Sequence, residues 1–150
     1  MSREPRGKRQ PYSVDVVALT PRDNELAVLL ERRNEGTGRD KSVRWVIPWT
    51  VSKSGEGLSD LSQRALTNSI GPATVWTTQV GAFSDGPHPG GSELSILYVA
   101  LVPMGQATVA SETFEWFLLS ELPPLAERQS QMLQESVAAV RDRLDLYPVA

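Results

Sequence analysis

Residues 48–71 read Pro-Trp-Thr-Val-Ser-Lys-Ser-Gly-Glu-Gly-Leu-Ser-Asp-Leu-Ser-Gln-Arg-Ala-Leu-Thr-Asn-Ser-Ile-Gly, and this stretch decides the fold. Its second half predicts a helix, because apolar residues recur there at helical spacing. They are Leu58, Leu61, Ala65, Leu66 and Ile70. Gly71 and Pro72 predict the end of that helix. The glycines on either side of Glu56 predict a loop that leads into it.

The segment resembles the Nudix box. In that motif a Gly, five residues, a Glu and seven residues precede the pattern Arg-Glu-aliphatic-x-Glu-Glu-x-Gly-aliphatic. Without a gap, Glu56 falls on the first Glu, Arg64 on the Arg and Gly71 on the closing Gly. The resemblance implies that Glu56 and Arg64 form a structural pair, in which the Glu orients the Arg and ties the loop to the helix.

The later acids of the box are absent from this chain. Ala65, Asn68 and Ser69 stand where the family carries glutamates, and Thr50 replaces the opening Gly. In the family those glutamates hold divalent ions against a diphosphate, and magnesium prefers carboxylate oxygens among its ligands. The sequence therefore predicts no metal site and an impaired hydrolase.

Length and composition are those of a single domain. The chain has 150 residues, of which 40% are hydrophobic, enough for a sizeable core. Its net charge of -3 argues against the broad basic surface of a self-sufficient nucleic-acid binder. Residues 1–11 are basic and contain prolines, which predicts a disordered tail, and residues 12–150 are predicted to form the Nudix-fold domain.

Several classes of protein are excluded by what the sequence lacks. There is no cysteine, so neither a disulfide framework nor a thiolate metal site can form. No apolar run reaches the roughly 18 residues of a membrane span, and residues 1–11 lack the apolar core of a secretory signal. We therefore expect a cytoplasmic protein without a membrane partner.

The order of predicted elements indicates the fold class. β-branched and apolar runs predict six strands, over residues 12–20, 25–33, 43–48, 73–84, 92–102 and 113–119. The first two are predicted to form a hairpin. A second helix is predicted to open at residues 122–124 and to carry one apolar face, made of Leu125, Met132, Leu133, Val137, Val140 and Leu144. The order β, β, β, α, β, β, β, α predicts an α+β domain, an α/β/α sandwich with a mixed sheet flanked by two main helices.

The resemblance covers residues 12–149 and is greatest to one subgroup of the family. These are Nudix domains fused to a winged-helix DNA-binding domain in repressors of NAD metabolism and of sugar utilisation. Residues 45–48 resemble the segment that precedes the box in many members, and residues 78–85, 94–103 and 115–126 carry the similarity to this subgroup. In such regulators the Nudix fold is often a sensor that binds ADP-ribose or a relative, frequently with a decayed box. The resemblance therefore implies an ADP-ribose-like ligand and either a winged-helix partner or a C-terminal DNA-binding domain in a longer protein.

Five residues are candidates for ligand binding: Arg44, Trp49, Glu56, Arg64 and Phe83. Arginine forks suit diphosphate oxygens and can supply affinity without a metal. Aromatic rings can stack on a nucleobase. Arg44 belongs to a basic group around the loop before the box, made of Arg32, Arg33, Arg39, Lys41 and Arg44. Two other aromatic residues, Trp45 and Tyr98, are predicted to lie in the core.

The loop of residues 85–91 holds the only histidine of the chain. Pro87 and Pro89 stiffen this loop and its glycines open it, and its length suits a surface recognition loop. We expect the side chain of His88, between the two prolines, to be exposed.

Three functions stay open at this point. The first is a sensor that binds an ADP-ribose-like ligand without a cofactor. The second is a weak hydrolase of nucleoside diphosphates linked to another moiety, with magnesium as cofactor and Glu56 and Glu93 as the remaining catalytic acids. The third is a pseudoenzyme that forms a homodimer or docks to a partner through the apolar face of the final helix.

Overall fold

The computed structural model describes residues 11–36, 38–40, 42–53 and 55–146, so the predicted tail lies almost entirely outside the described residues. The strands are β1 (Tyr12–Arg22), β2 (Glu25–Glu35), β3 (Ser42–Val46), β4 (Trp49–Thr50), β5 (Trp76–Phe83), β6 (Leu94–Leu101) and β7 (Phe114–Leu118). The helices are α1 (Leu58–Ile70) and α2 (Glu127–Leu146). Short 3-10 turns cover Gly38–Asp40, Met104–Gln106 and Leu119–Glu121.

All seven strands belong to one mixed sheet. The main path runs β3-β2-β1-β6-β5, while β4 pairs with β1 and β7 pairs with β2. β1 and β6 are parallel, in a register that runs from Tyr12 opposite Leu94 to Leu19 opposite Leu101. The other pairings are antiparallel. β1 is thus the central strand, since it pairs with β2, β4 and β6.

Side chains on the two faces of the sheet build two cores. On β1, Val14 and Val16 belong to the cluster beneath α1, whereas Val17 and Leu19 belong to the cluster that also contains side chains of α2. A strand covered on both faces is expected to be apolar throughout rather than alternating, and β1 is buried from residue 13 to residue 20. The predicted α/β/α sandwich with a mixed sheet and two flanking helices is confirmed.

The apolar face of α2 is part of the core. Met132 and Val140 are fully buried and Leu133 is nearly so, all three in the cluster on that side of the sheet. These three side chains are therefore not available to a docking partner, whereas Leu125 and Val137 of the same face are only partly buried. The side chain of Leu144 lies outside the described residues. No helix in the described part of the chain is long and apolar enough to cross a membrane.

Some element boundaries differ from the prediction. The two-residue strand β4 was not predicted, because its only support is pairing with Val14 and Asp15 of β1. α2 begins at Glu127 rather than at residues 122–124. The reason is local, because a residue that precedes a proline is disfavoured in the helical region, and Leu122 and Pro123 both do so.

The predicted hairpin between β1 and β2 is confirmed, with a two-residue turn. Arg22 pairs with Glu25, so Asp23 and Asn24 form the whole loop. Both have positive φ, 52° and 66°, as a type I′ turn requires.

This turn gives a stability prediction. Asn24→Val should destabilise the domain by about 1–2 kcal/mol, the cost of a left-handed conformation for a residue with a Cβ branch. Asn24→Gly should be neutral or stabilising, because glycine adopts positive φ freely. Urea unfolding of the two variants measures the difference, and equal midpoints for Asn24→Val and the unmodified protein would contradict the turn assignment.

Candidate functional site

The loop before α1 is fixed by an ion pair between Glu56 and Arg64. Arg64 Nε donates to Glu56 Oε2 at 3.0 Å, and Arg64 Nη2 donates to Glu56 Oε1 at 2.7 Å and to the carbonyl oxygen of Val51 at 2.8 Å. The backbone N–H of Lys53 also donates to Glu56. This two-point contact is the geometry in which guanidinium and carboxylate interact most strongly. The predicted structural pair is confirmed, and it connects the loop to the middle of the helix.

The three positions that would carry acids lie on the same helix. Ala65 is 2% exposed and belongs to the core beneath α1. Ser69 is 1% exposed, and its hydroxyl donates to the carbonyl oxygen of Ala65 at 2.6 Å. Asn68 is exposed and offers only a neutral oxygen.

These residues do not fit a magnesium site. Hard cations in proteins need oxygen ligands that can reach them, usually with carboxylates among the set. Ala65 has no ligand atom, and the hydroxyl of Ser69 is buried and already bonded within the helix. Within the described residues, no group of three or more histidine and acidic side chains is placed to hold a metal ion.

Trp49 lies between groups from two other segments, strand β2 and the loop of residues 85–91. The guanidinium carbon of Arg33 is 4.0 Å from the centre of the Trp49 ring, a cation–π contact. The His88 ring meets the indole edge to face, with centroids 4.8 Å apart and an interplanar angle of 82°. Gly90 is so close that a Cβ there would lie 2.7 Å from Trp49 Cζ2. The side chain of Trp49 is therefore held in one position.

Arg44, Phe83 and Glu93 lie in other parts of the fold. Arg44 on β3 is directly opposite Arg33 on β2, so the two arginines occupy one cross-strand position. Phe83 ends β5 and packs, partly buried, against the core on the α2 side. Glu93 is exposed and comes just before β6. The structure thus brings Arg33 to Trp49 and Arg33 to Arg44, and it brings Glu56 to Arg64.

His88 is buried, which corrects the expectation that it is exposed. Its ring nitrogen Nε2 lies 2.8 Å from Asp15 Oδ2 and 3.3 Å from Ser13 Oγ, and the side chains of His88 and Asp15 are both completely inaccessible to solvent. Ser13 donates to the other carboxylate oxygen of Asp15 at 2.6 Å. The prediction failed because the carboxylate that draws the histidine inward is 73 residues away in sequence.

The hydrogen bonds around His88 assign its tautomer. The backbone N–H of Gly90 donates to Nδ1 at 2.9 Å, so Nδ1 is an acceptor and the proton of the neutral ring is on Nε2, facing Asp15. Ser13 and Asp15 both lie at Nε2, whereas a nucleophilic triad needs its serine and its acid at opposite ring nitrogens. The cluster is therefore a buried polar support for the loop rather than a hydrolytic triad.

Sequence reasoning missed a second buried polar residue at this site. Arg128 on α2 is 2% exposed, and all its hydrogen-bond acceptors lie in the segment of residues 84–95. A usable signal was Asp15, a charged residue within an otherwise apolar strand, because a buried carboxylate requires polar partners. Arg128 itself carries no such signal in a mostly polar helix.

Comparison with solved structures gives the fold its name. The chain is similar to a mutT/nudix family protein from Listeria innocua, with a TM-score of 0.73 and 20% identity over 93% of this chain and 99% of that one. It is also similar to Shewanella oneidensis NrtR, with a TM-score of 0.74 and 20% identity over 89% of this chain but only 64% of NrtR. The NUDIX domain of that NrtR, solved with ADP ribose, gives a TM-score of 0.65 and 23% identity over 91% of this chain and 90% of that one.

No protein-family model matches the sequence, and no curated protein matches it either. At these identities the structural likeness defines the fold alone. The chain has the Nudix fold that the resemblance of residues 48–71 implies.

The ion pair predicts a pH dependence of stability. The hydrogen bonds from Arg64 and from the Lys53 N–H hold the pKa of the Glu56 carboxyl below its ordinary value of 4.5. A lowered pKa in the folded state adds stability that is complete above pH 4.5 and is lost as pH falls through the folded value. The difference in unfolding free energy between the unmodified protein and Glu56→Gln should therefore shrink on acidification. A difference that stays constant with pH would contradict this role.

The contact of Gly90 with Trp49 predicts a steric effect. Gly90→Ala should destabilise the domain by about 1–3 kcal/mol, the usual cost of forcing an extra methyl group into a filled space. Gly105→Ala is the matched control, because nothing lies within 4 Å of a Cβ at that position. Thermal unfolding of both variants tests this, and an equal effect of the two substitutions would show that Trp49 does not fill the space beside Gly90.

Proposed function

We propose that this Nudix-fold chain is a sensor module that binds a nucleoside-diphosphate-type ligand such as ADP-ribose, without a metal and without hydrolysing it. Metal-dependent hydrolysis needs ions that neutralise the diphosphate and activate a water molecule. The proposed module keeps the scaffold of such a site and uses it for binding alone.

The proposal rests on the burial of two positions of α1 where the Nudix box has acids. Ala65 and Ser69 are buried, and the hydroxyl of Ser69 is bonded within the helix, so both positions are closed to a cation. The Glu56–Arg64 pair beside them is intact. A fold can persist after its chemistry is lost, and here the part that shapes the loop remains while the part that would hold the metal does not.

The group around Trp49 supports an anionic ligand. Arg33 and Arg44 present two guanidinium groups in one cross-strand position, and Arg33 also lies over the indole of Trp49. Arg33 pairs with Glu31 at 3.2 Å but keeps 42% of its side chain exposed. Guanidinium groups bind phosphate oxygens in a fork geometry and need no metal to do so.

The solved structures support the ligand and suggest partners. The NUDIX domain of NrtR binds ADP ribose, and NrtR has also been solved with a 27mer DNA. Because this chain spans 64% of NrtR, DNA binding by the present protein would require a winged-helix partner or a C-terminal DNA-binding domain. We include a homodimer and a cytoplasmic location in the same proposal.

The rival function is a weak magnesium-dependent hydrolase with Glu56 and Glu93 as its acids. Both oxygens of Glu56 accept hydrogen bonds from Arg64, and one accepts a further bond from the Lys53 N–H. A carboxylate engaged in this way is a poor candidate for metal binding or for general base catalysis. This favours the sensor over the hydrolase.

Titration calorimetry with ADP-ribose, with and without magnesium, separates the functions. The sensor should bind the ligand equally well in both conditions, and chromatography should find no AMP afterwards. AMP formed only with magnesium would favour the hydrolase. No binding and no AMP would favour the partner-docking pseudoenzyme.

A charge-matched pair of variants tests the binding surface. Arg33→Ala should weaken ADP-ribose binding about tenfold, the loss expected from one charge-assisted contact to a phosphate. Arg32→Ala is the control, because Arg32 carries the same charge on the same strand but lies opposite Trp45. If both variants lose affinity equally, general electrostatic attraction accounts for binding and the Trp49 surface does not.

A further inference from the structure

We infer that Arg128 is a positioning residue of the proposed ligand site, a role that rests on the proposed function. It shapes the loop of residues 84–92 around its buried guanidinium, and this loop then holds Trp49 in place. Arg128 would thus govern ligand affinity from behind the loop, without touching the ligand.

The side chain of Arg128 donates hydrogen bonds to residues at both ends of this loop. Its Nε and Nη2 donate to the carbonyl oxygens of Ser84, Asp85 and Gly86, at 3.2, 3.3 and 2.8 Å respectively. Its Nη1 donates to the carbonyl oxygen and the hydroxyl of Ser92 and to the hydroxyl of Ser95. Both ends of the loop therefore converge on one planar guanidinium group.

The backbone of this loop is turned so that its carbonyl groups face the guanidinium. Gly86 has φ of +76°, a backbone conformation that side-chain-bearing residues rarely adopt, and it turns its carbonyl oxygen to the guanidinium at 2.8 Å. No carboxylate among the described residues pairs with Arg128. A chain of hydrogen bonds connects Arg128 with Asp15. Arg128 donates to Ser92, the hydroxyl of Ser92 lies 2.9 Å from that of Ser13, and Ser13 donates to Asp15.

All three donor nitrogens of Arg128 are engaged by the loop and by Ser95. A guanidinium in this state has little capacity to bind a ligand directly. Its function must therefore be sought in the conformation that it imposes, which is the reason for assigning it a positioning role.

The loop transmits this conformation to Trp49. His88 packs against the edge of the Trp49 ring, and Gly90 lies against the same indole while its N–H donates to His88 Nδ1. The loop also borders a cavity of about 530 Å³ whose lining includes His88, Glu93 and Arg128. A wall that is ordered before the ligand arrives spares the ligand the entropy cost of ordering it.

Chemical rescue tests this role. Arg128→Ala should raise the Kd for ADP-ribose by about 30-fold, as expected when binding must also order a loop. Guanidinium chloride, well below the concentration that unfolds the protein, should restore much of the affinity, because the ion fits the space vacated by the side chain. Sodium chloride at equal ionic strength and guanidinium with the unmodified protein are the controls.

A ligand-free measurement makes the test independent of binding. The chain has four tryptophans, so an NMR spectrum of their indole N–H groups contains few signals. The signal that is missing in Trp49→Phe is that of Trp49. In Arg128→Ala this signal should shift or broaden, and guanidinium should return it, while the signal of Trp116 in the other core stays unchanged. Arg128→Lys keeps the charge but not the planar fork, and should give an intermediate shift and affinity if the alanine variant does not fold.

The outcomes separate this inference from the proposed function. If the unmodified protein does not bind ADP-ribose, the proposed function fails, and the Trp49 signal alone then decides whether Arg128 sets the loop. If the protein binds and the folded Arg128 variants bind equally well, with an unmoved Trp49 signal, the positioning role is overturned. A loss of affinity without guanidinium rescue, with all four indole signals displaced, would also overturn it, because that pattern indicates general destabilisation.

Discussion

A carboxylate buried in the middle of a sheet must be satisfied by hydrogen bonds, and Asp15 imposes this requirement on its surroundings. It lies on the central strand, fully inaccessible, where an unpaired charge would be prohibitively costly. Ser13 satisfies one oxygen and His88 the other. Because His88 belongs to the loop of residues 85–91, its hydrogen bond to Asp15 holds that loop against the sheet.

The same requirement explains the position of Trp49 and the burial of Arg128. Trp49 is the cross-strand neighbour of Asp15, so the loop that satisfies the carboxylate necessarily lies against the indole. The far side of that loop turns its carbonyl groups inward, and buried carbonyl groups need donors. Arg128 on α2 supplies them and brings a positive charge to the same buried region. One acidic residue thus couples the central strand, the loop and the second helix.

Sequence alone predicted the features that local spacing sets, and it missed those that depend on distant contacts. The helix that ends at Ile70 follows from apolar residues at helical spacing, and the Glu56–Arg64 pair follows from the resemblance of residues 48–71 to the Nudix box. The burial of His88 depends on Asp15, far away in sequence, and prolines on both sides of the histidine suggested an exposed loop. The contribution of Arg33 to the Trp49 surface likewise appears only when β2 and β4 are brought together.

The absence of acids at positions 65, 68 and 69 favours stability, which is consistent with the proposed sensor. Carboxylates clustered for a metal repel one another when the metal is absent, so such a site strains the protein that carries it. In this chain Ala65 packs into the core and Ser69 bonds within its helix, and neither position carries a charge. These two positions therefore need no bound ion to balance a charge. Under the proposed function, its affinity for a diphosphate ligand would depend on arginine contacts and on the preformed loop, and its occupancy would follow the ligand concentration rather than that of free magnesium.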